Sequence, residues 1–582
     1  MTNLCTDKNI KLKANFLGPK AENSQWLEEN INHIFSDWCN WRRNRFPVDG
    51  PSISQKNLKE KTLANFQSLI FRQQKNLSNR FESEVPKYSP RYMGHMVSEI
   101  SLPALFGHIV ALLHNPNNSS LSASKVGSLI EQEAIDALSQ MIGYPKKGIG
   151  HFTSGGTIAN FEAIWRARYR LDHSLSFGAY QNKISGSNYS IFEASHLDME
   201  LQSNIDETKE YSFVQQGAYK AFGIYQDIFK VNFEGPILII PSHKHYSWQK
   251  AVSLLGLGEN SLWTVSLDSQ GHMCTRDLIE KIEFAKKTNR PILAVVSVAG
   301  TTELGMVDPV AEVQDILDEY KRNGIHIWHH IDAAYGGIYT SMLDEQGSDT
   351  KLSSHCEKSF NALKRAESIT LDPHKLAMVP YACGAILVKD PKYYSVSQFY
   401  APYLEEQPEE TGKWVSTIEG SRPATGASAT WMVANTIGLN KDGMGEILSL
   451  GLSAKERLIK TLTDKIPELY LLPQSDTNII CFTFLDEDKS IPKANKLTRK
   501  IYEEIINGDQ FSVSQTTLNK LYYSELITGL EKSWDIKETD DNLYLIRMVI
   551  MNPFSISKEN QFNYIEEFSS NLLSTYKFFK NY

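Results

Sequence analysis

The chain has 582 residues with 60 Lys+Arg against 68 Asp+Glu, a formal net charge of −8, and is 41% hydrophobic and 22% charged. These values suit a large globular protein of more than one domain and exclude a disordered or fibrous one. The acidic balance supplies no basic footprint for nucleic acid and no general attraction to an anionic membrane surface.

The first residues, MTNLCTDKNIKLKANF, lack the apolar core of a signal peptide, and no apolar run is long enough for a membrane-spanning helix. Residues 1–120 read as an N-terminal helical segment. SQWLEENINHIFSDWCNWRRNRFP carries Trp26, Ile31, Ile34, Phe35 and Trp38 at roughly helical spacing and stops at Pro47. Further on, PRYMGHMVSEISLPALFGHIVALLHNPNN is richer in Gly, Pro and His than plain packing requires.

Residues 121–430 read as a large α/β domain. Helical stretches such as KVGSLIEQEAIDALSQMIGY and VAEVQDILDEYKRNG alternate with apolar runs at 235–240, 261–267, 291–300, 325–334, 367–372 and 384–390. Continuous apolar strands between helices predict a mostly parallel sheet covered on both faces, with ligands beyond the carboxyl ends of its strands. Residues 431–582 open on a long helical stretch and continue into NIICFTFL and LYLIRMVIM, which suits a smaller C-terminal α+β domain. Cysteines at positions 5, 39, 274, 356, 383 and 481 show no CxxC and no paired spacing. No metal site and no disulfide framework is therefore expected, and free thiols point to a reducing, cytoplasmic setting.

The residues that end the strands carry the chemistry. HFTSGGTIANFEAIWRAR (151–168) passes from a Ser-Gly-Gly-Thr turn into a helix, either a phosphate cradle or a plain capped helix. It is neither a dinucleotide fingerprint nor a Walker motif. PSHKHYSWQKA places His245 past one strand, as a loop residue or as a platform for an aromatic ligand. VAGTTELGMVDP ends another strand in a Gly/Thr turn. IHIWHHIDAAYGG ends in Asp332, a helix cap or a buried acid with a partner, beside small residues that leave room for something flat. ITLDPHKLAMVPYACGAILV sets Lys375 inside an apolar segment, where a lysine rarely sits unpaired.

Together these features describe one ligand, pyridoxal 5′-phosphate (PLP). Its aldehyde takes a lysine as a Schiff base, its pyridine nitrogen needs a carboxylate, and its phosphate needs a cradle. Burial of that lysine is expected to lower its pKa.

The order TSGGT, HYSWQKA, GTTELG, HIDAAYGG, DPHK resembles the group II PLP-dependent amino-acid decarboxylases, over nearly the whole chain. FLGPKAEN, PRYMGHM, HNPNN, EGSRP and RMVIMNPF are similar to the bacterial tyrosine decarboxylase branch. The resemblance implies the PLP-dependent transferase fold type I with a seven-stranded sheet. It implies decarboxylation of an L-amino acid, tyrosine-like, to amine and CO2. It also implies that Lys375 carries the cofactor, Asp332 pairs with the ring nitrogen, His245 stacks on one ring face and Ala334 packs on the other. Ser154, Gly155, Gly156 and Thr157 would bind phosphate with help from His374, with Thr301 or Thr302 near the ring. The family's obligate homodimer, with active sites shared at the interface, would bring Gly420 and Ser421 to the neighbouring subunit's phosphate. His95 would line the substrate pocket.

One departure stands out. Decarboxylases of this group carry a loop tyrosine that protonates Cα, and in the tyrosine branch it precedes the EGS motif. Here that place holds Trp414, Val415 and Ser416, with Tyr400 and Tyr403 earlier. Relatives without the tyrosine release aldehydes by decarboxylation with oxidative deamination, which is the alternative activity. A second alternative is an acidic substrate such as glutamate, which would want an arginine; Arg91, Arg422 and Arg547 are the candidates.

Overall fold

The computed structural model describes residues 12–144, 148–198, 205–343, 351–398, 413–473, 475–556 and 563–580. Twelve strands lie among them: β1 Tyr92–Met93, β2 Ile149–Thr153, β3 Ile237–Pro241, β4 Leu262–Val265, β5 Ile292–Val298, β6 His329–Asp332, β7 Ser368–Leu371, β8 Gly384–Val388, β9 Leu469–Leu471, β10 Ile479–Phe484, β11 Ser512–Asn519 and β12 Asn542–Val549.

Seven of them form one sheet in the order β2-β8-β7-β6-β5-β3-β4. Pairings from β7 through β6, β5 and β3 to β4 are parallel, and β8 runs antiparallel to both its neighbours. Every residue of β3, β5, β6, β7 and β8 is buried. The period-2 alternation of strand side chains explains why: Leu238 and Ile240 join one core, with the Gly156–Tyr180 helix, while Ile237 and Ile239 join another with Val313 and Leu317. This arrangement sends β3, β5, β6 and β7 out of the sheet at one edge, so their following loops converge.

The smaller sheet has the order β1-β11-β12-β10-β9. Helices Glu446–Lys465, Ile491–Asn507 and Tyr564–Lys580 pack Leu458, Ile501 and Phe568 into its core. Its edge strand β1 comes from the N-terminal region and pairs in parallel with Ser512–Val513. The long helical stretch anticipated at the opening of the C-terminal domain is interrupted at Gly438, whose φ of +89° is left-handed. The boundary expected at 430/431 falls inside the Thr425–Thr436 helix. That helix packs on Leu102–His114 so tightly that a Cβ on Gly107 would lie 2.5 Å from the Ser428 carbonyl oxygen. Among the described residues no helix is long and apolar enough to cross a membrane.

Candidate active site

A cavity of about 290 Å³ opens at the converging strand ends. Its described lining includes Ser154, Gly155, Gly156 and Thr157 after β2, His243 and His245 after β3, Thr302 after β5, Asp332 and Ala334 at the end of β6, and Asp372, His374 and Lys375 after β7. The fold therefore brings together the turn, the histidine, the acid and the lysine.

Lys375 Nζ lies 3.0 Å from Asp372 Oδ2. Burial works against the ammonium, but the Asp372 carboxylate outweighs it and raises the Lys375 pKa above its ordinary value. This corrects the expectation of a lowered pKa. Burial alone would have lowered it; the aspartate one turn earlier reverses the sign.

Asp332 is held from two sides. Its Oδ2 accepts from Asn160 Nδ2 at 2.8 Å and from Trp248 Nε1 at 3.0 Å. Oδ1 has only the long contact from the Ala334 N–H at 3.4 Å and is left facing the cavity's ligand space. Asn160 is fixed in turn by His330 Nε2, 3.2 Å from its Oδ1. His330 is fully buried, and burial pushes its pKa down to about 3, so it stays neutral.

His245 Nδ1 takes the Ser247 N–H at 3.3 Å and lies 2.9 Å from Ser247 Oγ. Burial lowers its pKa as well, so the ring offers a neutral flat face. His374 Nδ1 accepts the Cys383 N–H at 3.1 Å, which directs Nε2 toward Asp372 at 3.5 Å. His243 sits between the Gly271 carbonyl oxygen at 3.1 Å and Asp308 Oδ1 at 3.2 Å.

PLP fits this cavity on observations of the molecule itself. The Gly156–Tyr180 helix opens directly on the cradle, and a Cβ on Gly156 would meet Asp372 Oδ2 at 2.9 Å and Ala334 Cβ at 3.0 Å. Any side chain would clash there, so glycine opens the helix, and backbone N–H groups at a helix N-terminus suit a phosphate. Asp372 Oδ1 is buried without a hydrogen-bond partner, and Asp332 Oδ1 is available to a ring N–H.

Other expected residues sit elsewhere. Thr301 Oγ1 accepts the Met306 N–H at 2.9 Å and ties the turn, leaving Thr302 to face the cavity. Gly420, Ser421 and His95 do not line it among the described residues. Ser421 Oγ accepts from Asn117 Nδ2, and the preceding Glu419 accepts the Ser154 N–H at 3.2 Å, so this turn rests on the cradle of its own chain. His95 is exposed and follows Gly94, whose carbonyl accepts from Arg547. Arg547 also donates to the Thr302 and Glu303 carbonyls, drawing the Gly-His-Met segment toward the cavity rim. Tyr400 and Tyr403 lie outside the described residues. Asn160, Trp248 and Asp372 carry functional contacts that sequence reasoning left unassigned. Their only sequence signals are helical spacing from Gly156, the HYSW tetrad and the acid opening DPHK.

Comparison with known proteins agrees with this geometry. Residues 231–484 match the pyridoxal-dependent decarboxylase conserved domain. An L-tyrosine decarboxylase of Enterococcus faecium is 27% identical over 96% of this chain and 97% of its own. A probable L-aspartate decarboxylase of Thermococcus gammatolerans is 30% identical over 61% of this chain and 69% of its own. The crystal structure of Oryza sativa TDC with PLP and tryptamine superposes with a TM-score of 0.64 at 16% identity, covering 96% of this chain and 98% of that one. With an interior lysine, a strand-end aspartate and a glycine cradle around one cavity, the chain belongs to the pyridoxal-dependent decarboxylase family.

Proposed function

We propose that this decarboxylase acts on an aromatic L-amino acid of the tyrosine type, releasing the amine and CO2. The observation that carries the choice of substrate is the set of cations around the cavity. Lys375 is the sole Lys or Arg among its described lining residues. Two of the three arginines that could have faced an acidic side chain are paired with carboxylates away from the cavity, and the third, at its rim, is taken up by backbone carbonyls. Arg91 forks onto Glu567 at 2.8 and 2.9 Å, Arg422 pairs with Glu131, and Arg547 donates to backbone carbonyls. An acidic substrate would have its carboxylate left unpaired in such a site. The tyrosine decarboxylase relative also matches over nearly its whole length, whereas the aspartate relative matches over 354 residues.

When bound, PLP supplies an electron sink for the pair left on Cα as CO2 departs. The chain's own residues do the rest. Lys375 Nζ must lose a proton before its lone pair can bond, and Asp372 Oδ2 at 3.0 Å is the adjacent base. Ser154, Gly155, Gly156 and Thr157 would hold the phosphate, and Asp332 Oδ1 would hold the ring N–H. His245 and Ala334 would enclose the ring between them. Gly420 and Ser421, in the turn that Glu419 ties to Ser154, would reach the neighbouring subunit's phosphate in a dimer. His95, exposed beside the rim, would line the substrate pocket.

The same reading includes a homodimer, which the N-terminal helices support. Helices Ser24–Arg45 and Lys61–Phe81 bury no residue, while Trp41, Phe66, Ile70 and Phe71 are at least half exposed. Large apolar side chains left exposed on both helices suit a protein interface. Cys356, Cys383 and Cys481 are buried free thiols, which fits a reducing cytoplasm.

The test is kcat/KM for tyrosine, phenylalanine, aspartate and glutamate with PLP-loaded protein. Tyrosine should lead, and the acidic substrates should trail it by orders of magnitude. Preference for aspartate or glutamate would overturn the assignment.

A further inference from the structure

Away from the cavity, His272, His355 and Asp476 meet where the two sheets adjoin. His272 stands in the loop after β4, His355 at the start of the Ser354–Ala362 helix, and Asp476 in the segment leading into β10. One ligand atom from each can be chosen so that all three lie within 4.8 Å of one another. Positions 272, 355 and 476 are too scattered for any sequence motif to announce them. None of the three lines the PLP cavity.

We propose that His272, His355 and Asp476 form a binding site for a divalent transition ion of the zinc class, joining the two sheets beside the cofactor cavity. The outer contact of His355 is that of a metal ligand, and a carboxylate stands near the second nitrogen of His272. His355 Nε2 lies 2.7 Å from the Val307 carbonyl oxygen, to which it donates, leaving Nδ1 as the ligand nitrogen. His272 Nε2 points at Asp476 Oδ2 from 2.8 Å, while its Nδ1 faces Asp268 Oδ2 at 3.8 Å. In metal sites each ligating histidine commonly turns its second ring nitrogen to a carbonyl or carboxylate in this way.

Asp476 is equally fixed. The Val307 N–H donates to its Oδ2 at 2.9 Å, and Lys455 donates to the carbonyls of Ser475 and Thr477 on either side. The His272 and Asp476 side chains remain 16% and 10% exposed, so an ion has a path from solvent. A tetrahedral zinc with bonds of about 2.1 Å sets its ligand atoms about 3.4 Å apart. Zinc would therefore draw in the wider pairs, within 4.8 Å, and ease apart the His272–Asp476 pair at 2.8 Å, a side-chain adjustment. Two imidazoles and one carboxylate favour zinc, cobalt or nickel over magnesium and calcium, and leave at least one position for water.

The site has a route to the catalytic centre. Both the N–H and the C=O of Val307 are gripped by this cluster. The next residue, Asp308, holds His243 in the wall of the PLP cavity.

The test uses the full-length, PLP-loaded protein after chelator treatment. Zn2+ binding is measured by equilibrium dialysis for the wild type, His355→Ala, Asp476→Asn and the exposed control His33→Ala. The visible absorbance of bound PLP confirms that each variant is folded. Wild type and the control should hold one tight zinc per chain, and the two site variants should bind it at least about tenfold more weakly. Mg2+ should not compete. Co2+ added to the wild type should give the intense visible bands of a low-coordinate site, a readout that needs no variant. No stoichiometric zinc, equal affinity in the site variants, or cobalt bands as weak as those of the hydrated ion would overturn the proposal.

Discussion

At Lys375 two opposed effects act on one ammonium group: burial, which favours the free amine, and the Asp372 carboxylate, which favours the cation and wins. Replacing Asp372 with Asn removes the winning effect and leaves burial, so the Lys375 pKa should fall. The rate at which apoprotein takes up PLP, followed by visible absorbance against pH, should then rise at lower pH in Asp372→Asn than in the wild type. An unmoved profile would mean that this pair does not govern the lysine. Lys375→Ala should lose the visible absorbance of the lysine-bound cofactor together with turnover; near wild-type activity would remove the lysine from the mechanism. Asp332→Asn should retain cofactor, because the cradle is untouched, yet lose most of the rate. Its two oriented hydrogen bonds from Asn160 and Trp248 would no longer present a charged oxygen to the ring nitrogen. An unimpaired Asp332→Asn enzyme would remove that role.

Among the elements, the turn after β5 shows how closely the backbones of the site are fitted. Gly300 has φ +96°, and a Cβ there would lie 2.7 Å from the Gly336 backbone nitrogen. Gly300→Ala combines a disfavoured conformation with a backbone clash, so it should cost more than about 1 kcal/mol. Thermal unfolding of the holoenzyme should show a lower Tm, with weaker PLP retention because Thr302 follows in the same turn. An unchanged Tm would contradict this. The apolar runs at 235–240, 291–300, 325–334, 367–372 and 384–390 were legible because each forms a buried strand, and the residues closing the first four fell at the cavity. Less legible was what depends on contact across the fold. Nothing local in FEAIWRAR or HYSW says that Asn160 and Trp248 meet on one oxygen of Asp332. Nor does LDPHK by itself say that its own aspartate would outweigh burial at Lys375. The β1–β11 pairing joins residues more than four hundred positions apart, beyond the reach of any periodicity.

For the whole molecule, acid should be destabilising well above the carboxylate range. Burial first of all pushes the pKa of His151 and His329 to about 4 and of His196 and His330 to about 3, from an ordinary 6.5. Unfolded chains take up protons at these four positions below about pH 6.5, while the folded protein refuses them until pH 3–4. Their stabilising contribution is therefore whole above pH 6.5 and is lost as pH falls toward 4. Glu99 and Asp172, raised by burial to about 7 and about 6, act the opposite way in that range. The four histidines outnumber the two acids, so Tm measured from pH 7 to 4.5 should decline; a flat or rising Tm would contradict the assignment of neutral buried imidazoles. The exposed aromatic face of the N-terminal helices makes a further prediction at this scale. Trp41→Glu with Phe66→Glu should shift the sedimenting species from dimer toward monomer, and an unshifted dimer would place the interface elsewhere.

The most direct measurement of the central claim is stoichiometric product analysis with PLP-loaded protein and L-tyrosine, following CO2, amine, aldehyde and oxygen together. Equal amounts of CO2 and amine, with no oxygen consumed, are the predicted result. Aldehyde formed with oxygen uptake, or no CO2 released at all, would contradict it.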